Sequence, residues 1–309
     1  MSDKESKSQG AVQTTGHAWD GDLQEYNNPL PTWWLWAFYG TVVFALIYWV
    51  LYPAWPIAGT YTKGILNHIS YVDAQGHKHS THWNTRALLL RDVEQDKAAQ
   101  TRREFLAKIE KTPYPVIFED AEMMQFIRSQ AKGLFGDNCA ACHGTGGTGV
   151  IGLFPNLADD DWLWGGKVED IETTIRDGRT GFMPAFKEAL TDAQIDDVAG
   201  FVLSLSGHTI DADKVTRGRK VFQTQIGGCY YCHTPAGTGL KSQGSANLTD
   251  AIWSVADVLD APTPAAQLEA VRNIIRNGVH RQMPSWRSRL SPAQIKLLTV
   301  YVHELGGGQ

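Results

Sequence analysis

At 309 residues the chain has room for two domains of about 100–150 residues, which excludes a single small binding module. Hydrophobic residues at 43% and charged residues at 20% are globular values, so the whole is neither a disordered tail nor a fibre. The net charge of −5 is split unevenly, balanced over residues 1–112, acidic over 113–210 and basic over 211–309, and nothing in it suggests nucleic acid.

Residues 1–31 are polar, rich in Ser, Gly, Asp and Asn, and lack the shape of a signal peptide; they predict a disordered arm. From Thr32 to Thr62 no side chain is charged, and residues 33–52 are almost wholly apolar. Twenty residues at about 1.5 Å rise give about 30 Å, the thickness of a bilayer's hydrocarbon core. Trp and Tyr gather at both ends of this stretch, where amphipathic rings prefer the headgroup region, and Pro53 and Pro56 stop the helix. Residues 32–56 therefore predict a single transmembrane helix. Too few Lys and Arg flank it to orient it by charge.

Residues 57–117 read as a spacer. A short hairpin is predicted around residues 73–76, then a charged helix from about Thr85 to Lys111 capped by Asn84 or Thr85 and ended at Thr112-Pro113-Tyr114-Pro115. His68, His77, His79 and His82 cluster here without an acidic or cysteine partner at metal-ligand spacing, and predict a solvated face.

Beyond Pro115 the chain repeats itself. Met183-Pro184 and Met283-Pro284 lie 100 residues apart, and at that offset Ile175, Arg176 and Gly178 match Ile275, Arg276 and Gly278. Leu190, Gln194, Ile195 and Val202 match Leu290, Gln294, Ile295 and Val302. Two domains are predicted, residues 118–209 and 210–309, each with Phe135 or Phe222 on a helix just before a cysteine pentad.

All four cysteines lie in those pentads, Cys139-Ala140-Ala141-Cys142-His143 and Cys229-Tyr230-Tyr231-Cys232-His233. Two thiols at this spacing can add to the two vinyl groups of a haem, which leaves the adjacent imidazole at the iron. Zinc needs four ligands closing one tetrahedron, whereas these pentads lie in separate repeats. Neither copy has the strand–helix context of a thiol redox couple. Met183 and Met283, one per repeat in a Met-Pro turn, are the candidate second ligands. His208 and His280 remain alternatives, as does an exchange of methionines between the repeats. A His/Met iron has no open position for substrate, so such a site moves electrons. The Gly-rich run from Gly144 to Gly149, with Pro155 and Asn156, is expected to wrap the haem edge. Arg176 and Arg276 suit either haem propionates or helix ends. Because haem is attached to CxxCH segments outside the cytoplasm, the repeats are expected to be periplasmic and the arm cytoplasmic.

Both repeats resemble class I cytochrome c domains, with a Phe-bearing helix, CxxCH, Met-Pro and a terminal helix whose aromatic (Phe201, Tyr301) crosses the first. Asp22-Leu23-Gln24-Glu25 and Asn27-Asn28-Pro29-Leu30-Pro31 entering the apolar helix, with Tyr52-Pro53 leaving it, look like the dihaem cytochrome c subunit (subunit III, CcoP/FixP type) of cbb3-type cytochrome c oxidases. The resemblance implies a mainly α protein with one N-terminal transmembrane helix and two class I cytochrome c domains in the bacterial inner membrane. It further implies two covalently bound haem c groups attached at Cys139, Cys142, Cys229 and Cys232, with His143, Met183, His233 and Met283 as axial ligands. The implied partners are a soluble periplasmic cytochrome c donor, a monohaem cytochrome c subunit and the haem–copper catalytic subunit that reduces dioxygen and pumps protons. That dioxygen site lies outside this chain on the same resemblance. A freestanding membrane-tethered dihaem shuttle and a dihaem peroxidase are the competing classes. The acidic repeat is expected to present a landing surface to a basic donor.

Overall fold

The computed structural model describes residues 13–65, 68–73 and 75–306; the first twelve residues of the predicted arm lie outside these. The chain forms two compact units, one up to Arg103 and one from Glu104 onward.

In the first unit, where an arm without structure was expected, β1 (Thr14–Trp19) and β2 (Leu23–Tyr26) pair as an antiparallel hairpin. Asp20 and Gly21, at φ of 52° and 90°, make its turn. Helix α1 (Thr32–Leu51) follows and buries none of its side chains against protein. A helix of 20 residues, apolar all round and unburied in protein, is long and apolar enough to cross a membrane. Two short hairpins come next, β3 (Pro56–Ile57) with β4 (Thr60–Tyr61) and β5 (His68–Val72) with β6 (Lys78–His82). The single spacer helix is in fact two, α2 (Thr85–Gln95) and α3 (Lys97–Lys111). Asn84 caps α2 by accepting from Ala87 N at 2.8 Å. Asp96 takes an extended backbone and accepts from Ala98 N at 2.8 Å, so a second capping side chain breaks the run. Two of the histidines, His77 and His79, also have an acidic partner that spacing alone did not reveal. Asp73 closes the β5–β6 turn, with His79 Nε2 at 2.8 Å and His77 Nδ1 at 3.3 Å from its Oδ2, and its carboxyl is held below the usual range chiefly by the His79 bond. Among the described residues no group of three or more such side chains is arranged to hold a metal ion.

The second unit contains α4 (Tyr114–Glu119), α5 (Ala121–Asn138), α6 (Ala140–His143), α7 (Val168–Asp177), β7 (Arg179–Met183) and α8 (Asp192–Leu205). The same order then returns as α9 (Ala212–Phe222), α10 (Tyr230–His233), α11 (Pro264–Asn277), β8 (Val279–Met283) and α12 (Pro292–Leu305). Capping boxes start both terminal helices, Thr191 with Gln194 and Ser291 with Gln294.

The packing does not follow the repeats. Phe135 of α5, with Ile171 and Ile175 of α7, packs on Ile295, Leu298 and Val302 of α12. Phe222 of α9, with Val271 and Ile275 of α11, packs on Ile195, Val198 and Val202 of α8. The aromatic crossings are present, yet they join Phe135 to Tyr301 (5.4 Å) and Phe222 to Phe201 (5.2 Å), one residue from each repeat. Between the two cores β7 and β8 pair antiparallel, Arg179 opposite Met283 and Met183 opposite Val279.

Reciprocal backbone bonds fix this exchange. Phe186 N donates to Ile275 O at 3.1 Å and Trp286 N to Ile175 O at 3.2 Å. Gly178 and Gly278 make the crossing passable. At Gly178 (φ +74°) an added Cβ would lie 2.5 Å from Met283 O, and at Gly278 (φ +72°) 2.5 Å from Met183 O.

Candidate functional site

The first pentad begins where α5 ends, residues 223–228 separate the second from the end of α9, and each closes as a single helical turn. His143 N donates to Cys139 O at 3.0 Å and His233 N to Cys229 O at 2.9 Å. Cys139 and Cys229 are half-buried, and burial pushes both thiols up to about 11; Cys142 and Cys232 are exposed. The glycine loops after the pentads then return the chain to the imidazoles. Gly149 N donates to His143 O, and a Cβ at Gly149 would meet Pro155 O at 2.5 Å, so only glycine lets that carbonyl come close. Pro155 O accepts from His143 Nδ1 at 3.1 Å, and Ala246 O from His233 Nδ1 at 3.0 Å. A carbonyl only accepts, so Nδ1 carries the proton in both rings and Nε2 is left as the free lone pair. Burial lowers the pKa of both imidazoles and keeps them neutral, the form that ligates a metal.

Met183 packs in the core of Phe222, Cys229 and Tyr230, whereas Met283 packs in that of Phe135, Cys139 and Ala140. Met283 thus shares a core with the pentad of His143, and Met183 with the pentad of His233. One cavity of about 830 Å³ is lined by all four of these residues and by all four cysteines. His208 does not line it; its Nδ1 lies 3.3 Å from Ser206 Oγ. His280 is at the cavity's edge, exposed and opposite Phe182 on the β7–β8 ribbon. Arg176 pairs with Glu172 and Asp177, and Arg276 with Asp192 and Glu269, so both serve helix ends and neither reaches the cavity.

Three buried N–H groups that line the cavity have no acceptor in the protein, Trp162 Nε1, Trp253 Nε1 and Arg281 Nη1. Buried donors without acceptors are costly, and a group carrying carboxylates would satisfy them. Paired thiols, free imidazole Nε2 atoms, thioethers, apolar walls and unpartnered donors together fit covalent haem c. The tryptophans were legible in hindsight, because Asn156-Leu157-Ala158-Asp159-Asp160-Asp161-Trp162 and Asn247-Leu248-Thr249-Asp250-Ala251-Ile252-Trp253 share Asn-Leu, Asp and Trp at the same spacing.

Family models agree with the geometry. Residues 11–59 match the N-terminal domain of cytochrome oxidase-cbb3, FixP, and residues 128–202 and 213–302 match cytochrome c oxidase, cbb3-type, subunit III. The chain belongs to the FixP/CcoP family of cbb3-type cytochrome c oxidase subunits. It is 42% identical to the FixP subunit of Azorhizobium caulinodans over 97% of this chain and 95% of that one. It is 39% identical to the CcoP subunit of Cereibacter sphaeroides over 100% of both. Each of the two subunit III matches spans one pentad and one Met-Pro, and the FixP match spans the β1–β2 hairpin and α1. As a member of this family the chain is a cytochrome c component of an oxidoreductase complex, with one N-terminal helix suited to a membrane.

Proposed function

We propose that this FixP/CcoP chain carries electrons from a soluble periplasmic cytochrome into a cbb3-type oxidase, by way of two haem c groups whose axial ligands are exchanged between the repeats. Cys139, Cys142, His143 and Met283 hold one; Cys229, Cys232, His233 and Met183 hold the other. Haem c bound in this way supplies a one-electron iron couple, with a potential raised by the methionine and no position open to substrate.

The residues of the chain do the rest. The bonds to Pro155 O and Ala246 O fix the tautomer and ring orientation of His143 and His233. Phe135 and Phe222, each 1% exposed, close the inner walls against water. Trp162 and Trp253 supply donors for propionates from equivalent places in the two repeats. The observation that carries the exchanged assignment is the β7–β8 ribbon, which delivers each Met-Pro turn to the other repeat's core.

Placement of the repeats in the periplasm, with the N-terminus cytoplasmic, rests on the site of CxxCH haem attachment. The monohaem and haem–copper subunits are the proposed acceptors, in a proton-pumping chain that ends at dioxygen, and the FixP match across residues 11–59 supports assembly with them. Purification from the native membrane in mild detergent tests the reading. Haem b, copper and oxygen consumption are expected to accompany the chain. A chain that emerges alone with two low-spin c haems is a tethered shuttle.

A further inference from the structure

Of the buried donors without acceptors, Arg281 Nη1 is the charged one that lines the cavity; the fourth such atom, Arg272 Nε, lies outside the cavity lining, 3.7 Å from Asp196, while Arg272 Nη1 pairs with Glu269 at 2.9 Å. Arg281 leaves the β8 strand two residues before Met283, yet its Nη2 donates to Ser254 O at 3.3 Å. Ser254 follows Trp253, which packs in the core of Met183 and Cys229, so the guanidinium is tied to the core beside the second pentad. No counterpart exists in the other repeat. The matching residue 100 positions earlier is Gly181, which also faces Arg281 across the ribbon. Arg179, the cation on β7, also lines the cavity but is held by protein groups. Its Nε donates to Thr174 Oγ1 at 2.9 Å, its Nη2 to Asp170 O at 3.5 Å, and it lies 4.9 Å over the Trp164 ring.

A planar guanidinium with a free N–H in a half-buried place matches a carboxylate better than any other acceptor, and a haem's propionates are carboxylates. We infer that Arg281, together with Trp253, binds a propionate of the haem held by His233 and Met183, and that this fixed cation makes that haem the higher-potential member of the pair. The inference rests on the dihaem reading above. Reduction lowers the positive charge at iron, so a cation held nearby favours the reduced state, and more so where solvent is partly excluded. Arg281 is a positioning residue whose charge acts through the propionate.

The test is redox titration of the full chain, followed by its haem spectrum. Arg281→Gln keeps a donor but removes the charge. It is expected to make the His233-side haem about tenfold harder to reduce, a fall of about 59 mV for a one-electron couple, and to leave the other haem unchanged. Repeating the titration with Cys139→Ser and Cys142→Ser, which leave only the His233-side haem, assigns the shift. Gly181→Arg is the converse variant, since an added Cβ there meets no atom within 4 Å. It is expected to raise the His143-side haem and narrow the gap, so the inference stays testable if Arg281→Gln folds poorly. Two intact His/Met haems with unchanged potentials in both variants, or a fall confined to the His143 side, overturn this inference and leave the dihaem reading standing. A wild-type chain without two covalent haems overturns both.

Discussion

Gly178→Ala is the sharpest test of the exchange, because its lesion is expected on the side that sequence proximity does not suggest. Gly178 lies five residues before Met183, so ligation within a repeat places any damage at Met183. In the structure Gly178 has φ 74° and ψ 177°, a backbone region open essentially to glycine alone and costing other residues about 1–3 kcal/mol. The new Cβ would also lie 2.5 Å from Met283 O and 2.7 Å from Ser285 N, where ordinary contact begins at 3.4 Å. The strand carrying Met283 must therefore retreat by roughly 0.9 Å, or the helix end must twist. A cost of 1–3 kcal/mol set against methionine ligation lowers its equilibrium constant by roughly 5- to 150-fold.

The assay uses chains reduced to one haem. With Cys229→Ser and Cys232→Ser, Gly178→Ala is expected to weaken the methionine-to-iron charge-transfer band and let the reduced iron bind carbon monoxide. With Cys139→Ser and Cys142→Ser, the same substitution is expected to leave the spectrum unchanged. Gly278→Ala, whose Cβ would meet Met183 O, is expected to give the reverse pattern. The opposite assignment in both backgrounds refutes exchanged ligation.

Truncating Phe135 or Phe222 to Ala, both buried at 1% exposure, is expected to cost about 3–5 kcal/mol in urea unfolding of the haem-loaded chain, and a cost below 1 kcal/mol would contradict the packing described. A fragment of residues 104–209 lacks α12, the cover of Phe135, Ile171 and Ile175, and is expected not to form a folded haem protein, whereas residues 104–309 are; a folded, haem-bearing short fragment would refute the interlocked cores. Asp161 lines the cavity, and burial, with Asp250 and Asp159 nearby, raises its pKa from 3.8 to about 6. A raised carboxyl pKa means the fold favours the protonated form, so this stability is fully present below pH 3.8 and is lost as pH rises through about 6. Asp161→Asn is expected to remove that slope and to gain roughly 2 kcal/mol at neutral pH, allowing for solvent screening, as read by thermal melts between pH 4 and 7.5.

The parts of the site that chemistry dictates were readable from residue types. The pentads, Met183, Met283 and the Asn84 cap each follow from what one short segment must do, and the same holds for α1, whose apolar run is long enough to cross a membrane. Two local features escaped for a local reason. Asp96 is an unremarkable residue in a charged helix until it caps α3, and the Asp20-Gly21 turn pairs two short polar strands that show no alternation. The exchange escaped for a different reason. Because the repeats are alike, Ile295, Leu298 and Val302 can cover either Phe135 or Phe222 as far as pattern is concerned, and the same is true of Ile195, Val198 and Val202. Gly178 and Gly278 announce a special backbone, but not which strand they let pass.

The exchange also changes what the charge asymmetry does. The acidic residues of α8 lie against the basic helices of the other repeat, with Lys214 to Asp196 at 2.7 Å, Arg217 bidentate to Asp197 at 2.9 and 2.8 Å, and Arg276 to Asp192 at 2.8 Å. Arg287 pairs with Asp177 at the ribbon, and in the opposite sense Arg128 pairs with Glu304 at 2.6 Å. Four acidic residues of the first repeat, Asp177, Asp192, Asp196 and Asp197, are thus paired with the second, and each pair holds one repeat to the other. Individually such half-exposed pairs contribute little; their effect is to favour this pairing of helices over the unexchanged one, in which α8 would lie on α7 and α5 and meet Glu169, Asp170 and Glu172. Two cytochrome domains joined only by a linker could hinge apart. Here each core contains helices from both repeats and each methionine hangs from a shared ribbon, so separating the sites means breaking both cores. The distance between the two pentads is then a property of the packed interior rather than of a loop, which suits the proposed relay, whose rate would depend on that distance.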